Sequence, residues 1–380
     1  MELARWLMDH PHVDDDGTAF MHALHAKLCA AGLPIWRISY ALTTKHPELL
    51  WRTVQSASDG DVVVRDQPHA RLADDFYRKS AVALARESGA TVRVRLDGSD
   101  ARFPIAADLR ALGGTDYLVE PLAYANGEIG YVSFATQQDG GFLEADLAEL
   151  AALRPFLARR IELESAYHAT RALLDVYLGR NAARRVFAGA FQRGRGERID
   201  AAIWFSDMRD FTVLSDTTPP EELVELLDRY FDAVASAVAE RGGEVLKFIG
   251  DAVLAIFPLG DDPARACNDA LAAAEAAFTA LAALNRDRAT PIAIGVGLHR
   301  GEVLYGNVGA RDRLDFTVIS AAVNEASRLE SLCKKLGTSL AMSEAFARTA
   351  GVADTVDLGA QELKGVKAPL RVLTLARYRT

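Results

Sequence analysis

The tightest constraint on this chain is the order in which its hydrophobic period changes between Asp200 and Gly309. A short apolar run, "AAIWFSDM", precedes "PPEELVELLDRYFDAVASAVAERGG". That second stretch opens with Pro and acids and closes on Gly-Gly, the marks of a helix. Two strand-like runs follow about Gly250-Asp251 in "EVLKFIGDAVLAIF", then a second helix in "PARACNDALAAAEAAFTALAALNRD". "IAIGVGLHRGEVLYGNVG" reads as a strand pair or as one strand with its extension. "SAAVNEASRLESLCKKLG" adds a helix, and "VDLGAQELKGVKAPLRVLTL" contributes closing strands.

The order β-α-β-β-α-β is a ferredoxin-like unit, in which the first strand and the central hairpin are sheet neighbours. Asp207 at the end of "IWFSD" and Asp251 in the turn of "FIGDA" then meet at one sheet edge. A lone ionised carboxylate in apolar surroundings is costly unless donors or a cation accompany it. Two acids in contact repel unless a cation sits between them. Hard oxygen ligands of this kind suit Mg²⁺ or Mn²⁺, which bind carboxylates together with substrate phosphates. A turn aspartate accounts for Asp251 alone, but poorly for both.

The first part of the chain, residues 1–141, is a mixed α+β unit. "DGTAFMHALHAKLCAAGLP" is expected to be a helix; "WRISYALTT", "LLWRTVQSA" and "VRVRL" are expected to be strands. In "TDYLVEPLAYANGEIGYVSFATQ", Asn126-Gly127 predicts a tight hairpin turn at positive φ. His22 and His25, one helical turn apart, are expected on the surface, and "HPHVDDD" as a polar tail. A helical stretch, Phe142 to Gly179, carries Leu147, Leu150, Leu153, Leu157, Ile161 and Glu164 on one stripe. Pro155 is expected to kink or break it. The stripe either covers the preceding sheet or pairs with its twin in a dimer. Residues 142–197 thus form a helical linker, and 198–380 a second domain. The hairpin followed by a long helix resembles a GAF domain, a small-molecule sensor fold, whose ligand here is unknown.

At 380 residues and a net charge of -9 the chain suits two domains and gives no general attraction to nucleic acid. The basic cluster from Gly179 to Arg198 reads as a solvated connector. Cys29, Cys267 and Cys333 lie far apart without a CxxC pair, which fits a reducing cytoplasm. No signal-peptide pattern opens the chain, and no window is expected to span a membrane.

"FSDMRDFT", "KFIGDAVLAIF", "GLHRGEVLYGNVG", "DFTVISAAVNEASRLE" and "ELKGV" stand in one order over roughly the last half of the chain. Together they resemble the catalytic domain of class III nucleotidyl cyclases. The resemblance implies conversion of ATP to 3′,5′-cyclic AMP and pyrophosphate by two metal ions per site. It makes Asp207 and Asp251, with Met208, the metal-binding residues, and Asn324 and Arg328 the transition-state pair. Lys364 would bind phosphate, with Phe211 and Thr212 beside the triphosphate. Lys247 suits adenine N1 and Thr317 its exocyclic amine, where guanylate cyclases carry a glutamate in place of the lysine. Threonine at that position resembles the class IIIb subset, some of whose members respond to bicarbonate. Asp210 and Ser320 replace usual glycines. Both halves of the site in one chain imply a homodimer with composite sites. The alternatives are a guanylate cyclase, or a catalytically silent nucleotide-binding or dimerising module.

Overall fold

Alternation along Arg37–Thr43 builds the first sheet. Ile38, Tyr40 and Leu42 turn to one face, and Arg37, Ser39 and Ala41 to the other. A computed structural model describes residues 2–10, 16–57, 60–98, 102–288, 290–366 and 368–379. Residues 11–15 of the expected polar tail lie outside these. The chain divides into two compact units, Met1–Val176 and Tyr177–Thr380.

In the first unit α1 (Glu2–Asp9) and α2 (Thr18–Ala30) precede β1 (Arg37–Thr43), β2 (Leu49–Ala57) and β3 (Val62–Pro68). Then come α3 (Asp75–Arg78), α4 (Ala81–Ser88), β4 (Val92–Arg95), α5 (Pro104–Ala111), β5 (Asp116–Ala123), β6 (Ile129–Thr136) and α6 (Glu144–Leu178). The six strands form one antiparallel sheet in the order β3-β2-β1-β6-β5-β4. Phe20, Leu24, Ile38, Val132 and Phe134 pack on one face with Leu150, Leu153, Leu157 and Ile161 of α6. The stripe over these α6 residues therefore covers the sheet.

Three local expectations are corrected. Pro155 does not interrupt α6, which runs on for 35 residues. The β5–β6 connection is longer than a two-residue turn. Tyr124 N bonds Glu128 O at 3.0 Å, Asn126 Oδ1 accepts from Glu128 N, and only Gly127 takes positive φ. His25 is not a surface residue. It is buried, with Nδ1 2.8 Å from Ser56 Oγ and Nε2 3.1 Å from Ile35 O.

The second unit contains α7 (Arg180–Phe187), β7 (Gly196–Met208), α8 (Phe211–Thr217), α9 (Pro220–Glu240), β8 (Glu244–Ile249), β9 (Ala252–Pro258) and α10 (Pro263–Leu284). It continues through β10 (Ile294–Ala310), β11 (Arg313–Ile319), α11 (Ala321–Leu336), β12 (Leu340–Ser343), α12 (Glu344–Ala350), β13 (Thr355–Gln361) and β14 (Leu370–Leu375). The sheet order β13-β14-β12-β10-β7-β9-β8 contains the expected ferredoxin-like core, with β7 between β10 and β9. β10 is one 17-residue strand whose far half pairs with β11.

Period-two alternation decides which way β7 side chains go. Ala202, Trp204 and Met208 enter the core beneath α9 and α10, while Ala201, Ile203 and Phe205 face the core shared with Ala322 and Ala326 of α11. Asp207 shares the parity of this second face.

One further expectation is qualified and another corrected. Pro263–Asp287 is long and apolar enough by composition to cross a membrane; Cys267, Ala270, Ala274 and Leu281 of that helix lie in the protein core. The basic cluster is not simply solvated. The α7 amide of Ala182 bonds buried Glu244, which also accepts from Tyr305 Oη, and Arg185 pairs with Glu197 at 2.7 Å.

Candidate active site

Two turns assemble the acidic centre. β7 ends at Met208, one residue after Asp207. The β8–β9 hairpin turns at Gly250-Asp251, where Gly250 supplies φ 64. Met208 N donates to Asp251 Oδ2 at 3.1 Å, and Tyr230 Oη donates to Asp251 O at 3.1 Å. The Asp207 carboxyl is pushed up to about 6, first by burial, then by a hydrogen bond and charge repulsion from Asp251. Such a pair is an under-neutralised hard-oxygen site that fits a divalent cation. Among the described residues no cluster of three or more His, Cys, Asp or Glu forms, so side-chain donors here are these two acids. The Met208 side chain is committed to the core, which leaves its backbone carbonyl for a metal.

An ion pair that spacing along the sequence does not reveal lies beside the two acids. Arg209 Nη1 lies 3.0 Å from Glu330 Oε1, a buried carboxylate on α11. Burial pushes Glu330 up to about 7, with Asp207 and Asp251 adding to the rise and Arg209 opposing it. Glu330 interrupts the apolar stripe of Ala326, Leu329 and Cys333, which was the available signal. Gly295, opposite Asp207 in the β7–β10 register, leaves the room this pair fills.

Asn324 and Arg328 are both exposed on α11. Arg328 pairs with neither neighbouring glutamate: Glu330 holds Arg209, and Glu325 Oε2 lies 2.8 Å from His299 Nε2. Among the described residues no ion pair engages Arg328, and no hydrogen bond ties it or Asn324 to the acidic pair. Lys247 Nζ meets Asp315 Oδ2 at 2.9 Å, and Thr317 lies two residues on, on the same strand face. Those two base-reading candidates thus come together through Asp315.

Phe211 and Thr212 open α8, where first-turn amides have no carbonyl four residues back. Lys364 is exposed in the connection between β13 and β14, and no described contact brings it to the acids. Asp210 takes φ 57 and pairs with Lys334 at 2.7 Å; Ser320 caps α11 through Val323 N at 3.2 Å. A cavity of about 830 Å³ opens beside Met208 and Asp210, toward Arg229 and Asp287. Neither Asp207 nor Asp251 lines it, so it is not where a cation between them would sit.

Residues 196–374 match the family model of the adenylate and guanylate cyclase catalytic domain. The second unit is similar, over most of its length, to the catalytic domain of adenylate and guanylate cyclases. Within it, an adenylate cyclase of Anabaena cylindrica is 37% identical over 164 residues, 41% of this chain and 32% of that protein. Adenylate cyclase 1 of Rhizobium meliloti (strain 1021) is 33% identical over 190 residues, 49% of this chain and 29% of that protein. The chain therefore spans about a third of the length of these curated relatives. A structure of a bacterial light-regulated adenylyl cyclase aligns over 69% of this chain and 85% of its own, with TM-score 0.51 and 20% identity, a likeness of fold. The second unit has a mixed α+β fold in which Asp207 and Asp251 approach each other.

Proposed function

We propose that the chain is an adenylate cyclase, converting ATP to 3′,5′-cyclic AMP and pyrophosphate in a homodimer with two composite sites. The approach of Asp207 to Asp251 carries this reading. The relatives named as adenylate cyclases add to it. Mg²⁺ or Mn²⁺, two per site, would be held by these acids and the Met208 carbonyl, and would neutralise phosphate charge and lower the pKa of the ribose 3′-hydroxyl.

The chain's own groups divide the remaining work. Lys247 donates to adenine N1 and Thr317 accepts from the amine. The first α8 amides, at Phe211 and Thr212, face the triphosphate's charge, and Lys364 adds a cation. Arg328 carries no counter-ion among the described residues and is available to the α-phosphate as charge redistributes, while Asn324 orients the ribose. Among the described residues no bond links α11's Asn324 and Arg328 to the acids, which is consistent with a second chain supplying them.

We read the first unit as a GAF-like sensor, with residues 142–197 as connector and the cytoplasm as the place where ATP is met. Its six-stranded antiparallel sheet and the cavity described below support that reading.

The test is product formation. Purified chain with ATP and Mg²⁺ or Mn²⁺ yields cyclic AMP, and Asp207→Ala or Arg328→Ala abolishes it. Mixing the two inactive variants restores activity, because one site per heterodimer is intact. A folded dimer silent with both metals is a nucleotide-binding module instead; GTP outcompeting ATP makes it a guanylate cyclase.

A further inference from the structure

The first unit contains a polar cavity where a sheet face would ordinarily be sealed. On the face opposite α6, Ala81, Ala85, Leu109 and Val119 close part of the sheet with α4 and α5. Beside that plug lies a cavity of about 830 Å³, within the size range of small-molecule sites. Trp36, Trp51 and Tyr77 supply aromatic wall, Trp51 and Tyr77 with ring centres 5.0 Å apart.

The floor is polar. Arg37, on β1, is only partly exposed, and its Nη2 donates to the neutral Gln55 Oε1 at 2.5 Å. Among the described residues no carboxylate pairs with it. Other arginines of this region are committed: Arg71 to Asp74, Arg52 to Asp66 at 2.6 Å, and Arg86 to Tyr77 Oη at 2.9 Å. A second cation, Arg65, also lines the cavity and acts against the Arg37 charge, while Tyr117 and Tyr131 of the same lining favour it. Burial pushes the Arg37 guanidinium down from its ordinary range, more than Tyr117 and Tyr131 hold it up, with Arg65 adding to the fall. Asp108 reaches the rim from α5 but is exposed and does not act on Arg37. A desolvated cation without a counter-ion costs stability, and a planar fork aimed into an aromatic chamber matches a carboxylate.

We propose that this cavity binds a small aromatic monocarboxylate, its ring against Trp36, Trp51 and Tyr77 and its carboxylate on the Arg37 fork. A single desolvated guanidinium balances one negative charge, which favours a carboxylate over a phosphate dianion. Arg65 at the more exposed edge draws the anion in but stays hydrated.

The test is calorimetric titration of the full chain with benzoate and 2-naphthoate, against neutral 2-naphthamide and inorganic phosphate. At least one carboxylate binds one per chain with Kd below about 1 mM. The amide and phosphate bind tenfold more weakly or not at all. Arg37→Gln lowers carboxylate affinity at least tenfold, while its ligand-free melting temperature stays level or rises, because an uncompensated charge has been removed. Arg37→Lys loses less affinity than Arg37→Gln. Saturation by neither carboxylate, equal affinity for naphthoate and naphthamide, or a ligand-free Arg37→Gln protein melting several degrees lower each overturns the proposal. The readout does not use turnover, so its failure leaves the cyclase reading standing, and a silent cyclase leaves this site standing.

Discussion

Lys247 Nζ on β8 lies 2.9 Å from an Asp315 carboxylate oxygen on β11, and Asp315 stands two residues before Thr317. The contact lowers the Asp315 carboxyl through a hydrogen bond and the opposite charge. It also fixes where an otherwise long and flexible lysine presents its donors. Asp315→Asn is expected to raise KM for ATP by about two- to fivefold, the range an exposed ion pair of about 1 kcal/mol or less allows. The turnover number should hold, because neither side chain would touch the reacting atoms, and preference for ATP over GTP should fall. Steady-state kinetics with both nucleotides checks this; unchanged KM and preference would remove Asp315 from base reading.

Among the described residues Arg209 and Glu330 form a largely buried ion pair near the acidic centre. Removing only the arginine leaves Glu330 buried beside Asp207 and Asp251 with no opposing charge. Glu330 then protonates near neutral pH, so Arg209→Met is expected to cost about 1 to 3 kcal/mol, the cost rising with pH. The Arg209→Met/Glu330→Met double variant should recover most of that, since both buried charges go together. Urea unfolding midpoints of the wild type, both singles and the double close the cycle. A double variant no more stable than Arg209→Met would mean the pair is held for its packing.

The βαββαβ core of the second unit was legible because most of its elements have a clean period and an obvious stop. Gly-Gly ends α9, Gly250 turns the hairpin, and the alternation in β7 alone decides that Trp204 and Met208 enter one core while Asp207 faces the other way. The first unit was less so. β3 reads Val-Val-Val-Arg-Asp-Gln-Pro, with mostly exposed side chains and no stretch of alternation, and a short edge strand needs none. Pro155 failed as a helix breaker because packing of Leu150, Leu153 and Leu157 on the sheet outweighs one missing hydrogen bond. In the site, spacing exposed the acids but hid their neighbours. Arg209–Glu330, Lys247–Asp315 and His299–Glu325 join residues 121, 68 and 26 positions apart, and only the folded sheet brings them together.

Asp210 is the one non-glycine residue at positive φ among the described residues, at φ 57. Aspartate tolerates this region better than most residues, but glycine pays no steric cost there. Against that gain stands the contact with Lys334, both side chains largely in water. Strain relief should win. Asp210→Gly is expected to raise the melting temperature by about 2 °C or more, whereas Asp210→Ala, which keeps the strain and loses the contact, should lower it. A thermal melt of the three proteins decides; a lower value for the glycine variant would assign the net stabilisation to Lys334.

His299 gives the fold a pH dependence whose sign can be worked out. Its Nδ1 lies 2.8 Å from Ser343 Oγ and its Nε2 2.8 Å from Glu325 Oε2, so a neutral ring accepting from the serine and donating to the glutamate satisfies both neighbours. Burial, with Arg300 adding to it, pushes the ring down to about 4 in the folded protein, from 6.5. Between those values the unfolded chain binds the extra proton, so stability rises with pH across that window. The contribution is complete above pH 6.5 and is lost as pH falls toward 4. The Glu325 carboxylate favours the charged ring and works against the shift, which keeps the loss below the roughly 3 kcal/mol that the full difference would carry. Glu330, raised to about 7, acts in the opposite sense: its contribution is present below its unfolded value and lost as pH rises to 7. Asp207, raised to about 6, acts in the same sense as Glu330, so the net slope of the wild type mixes all three and the informative quantity is a difference. His299→Gln keeps a donor and an acceptor but cannot titrate. Unfolding midpoints of wild type and His299→Gln at pH 7.5, 6 and 5 should converge as pH falls, with wild type losing more. Parallel curves would mean the folded protein holds His299 at its ordinary value, with Glu325 cancelling the burial.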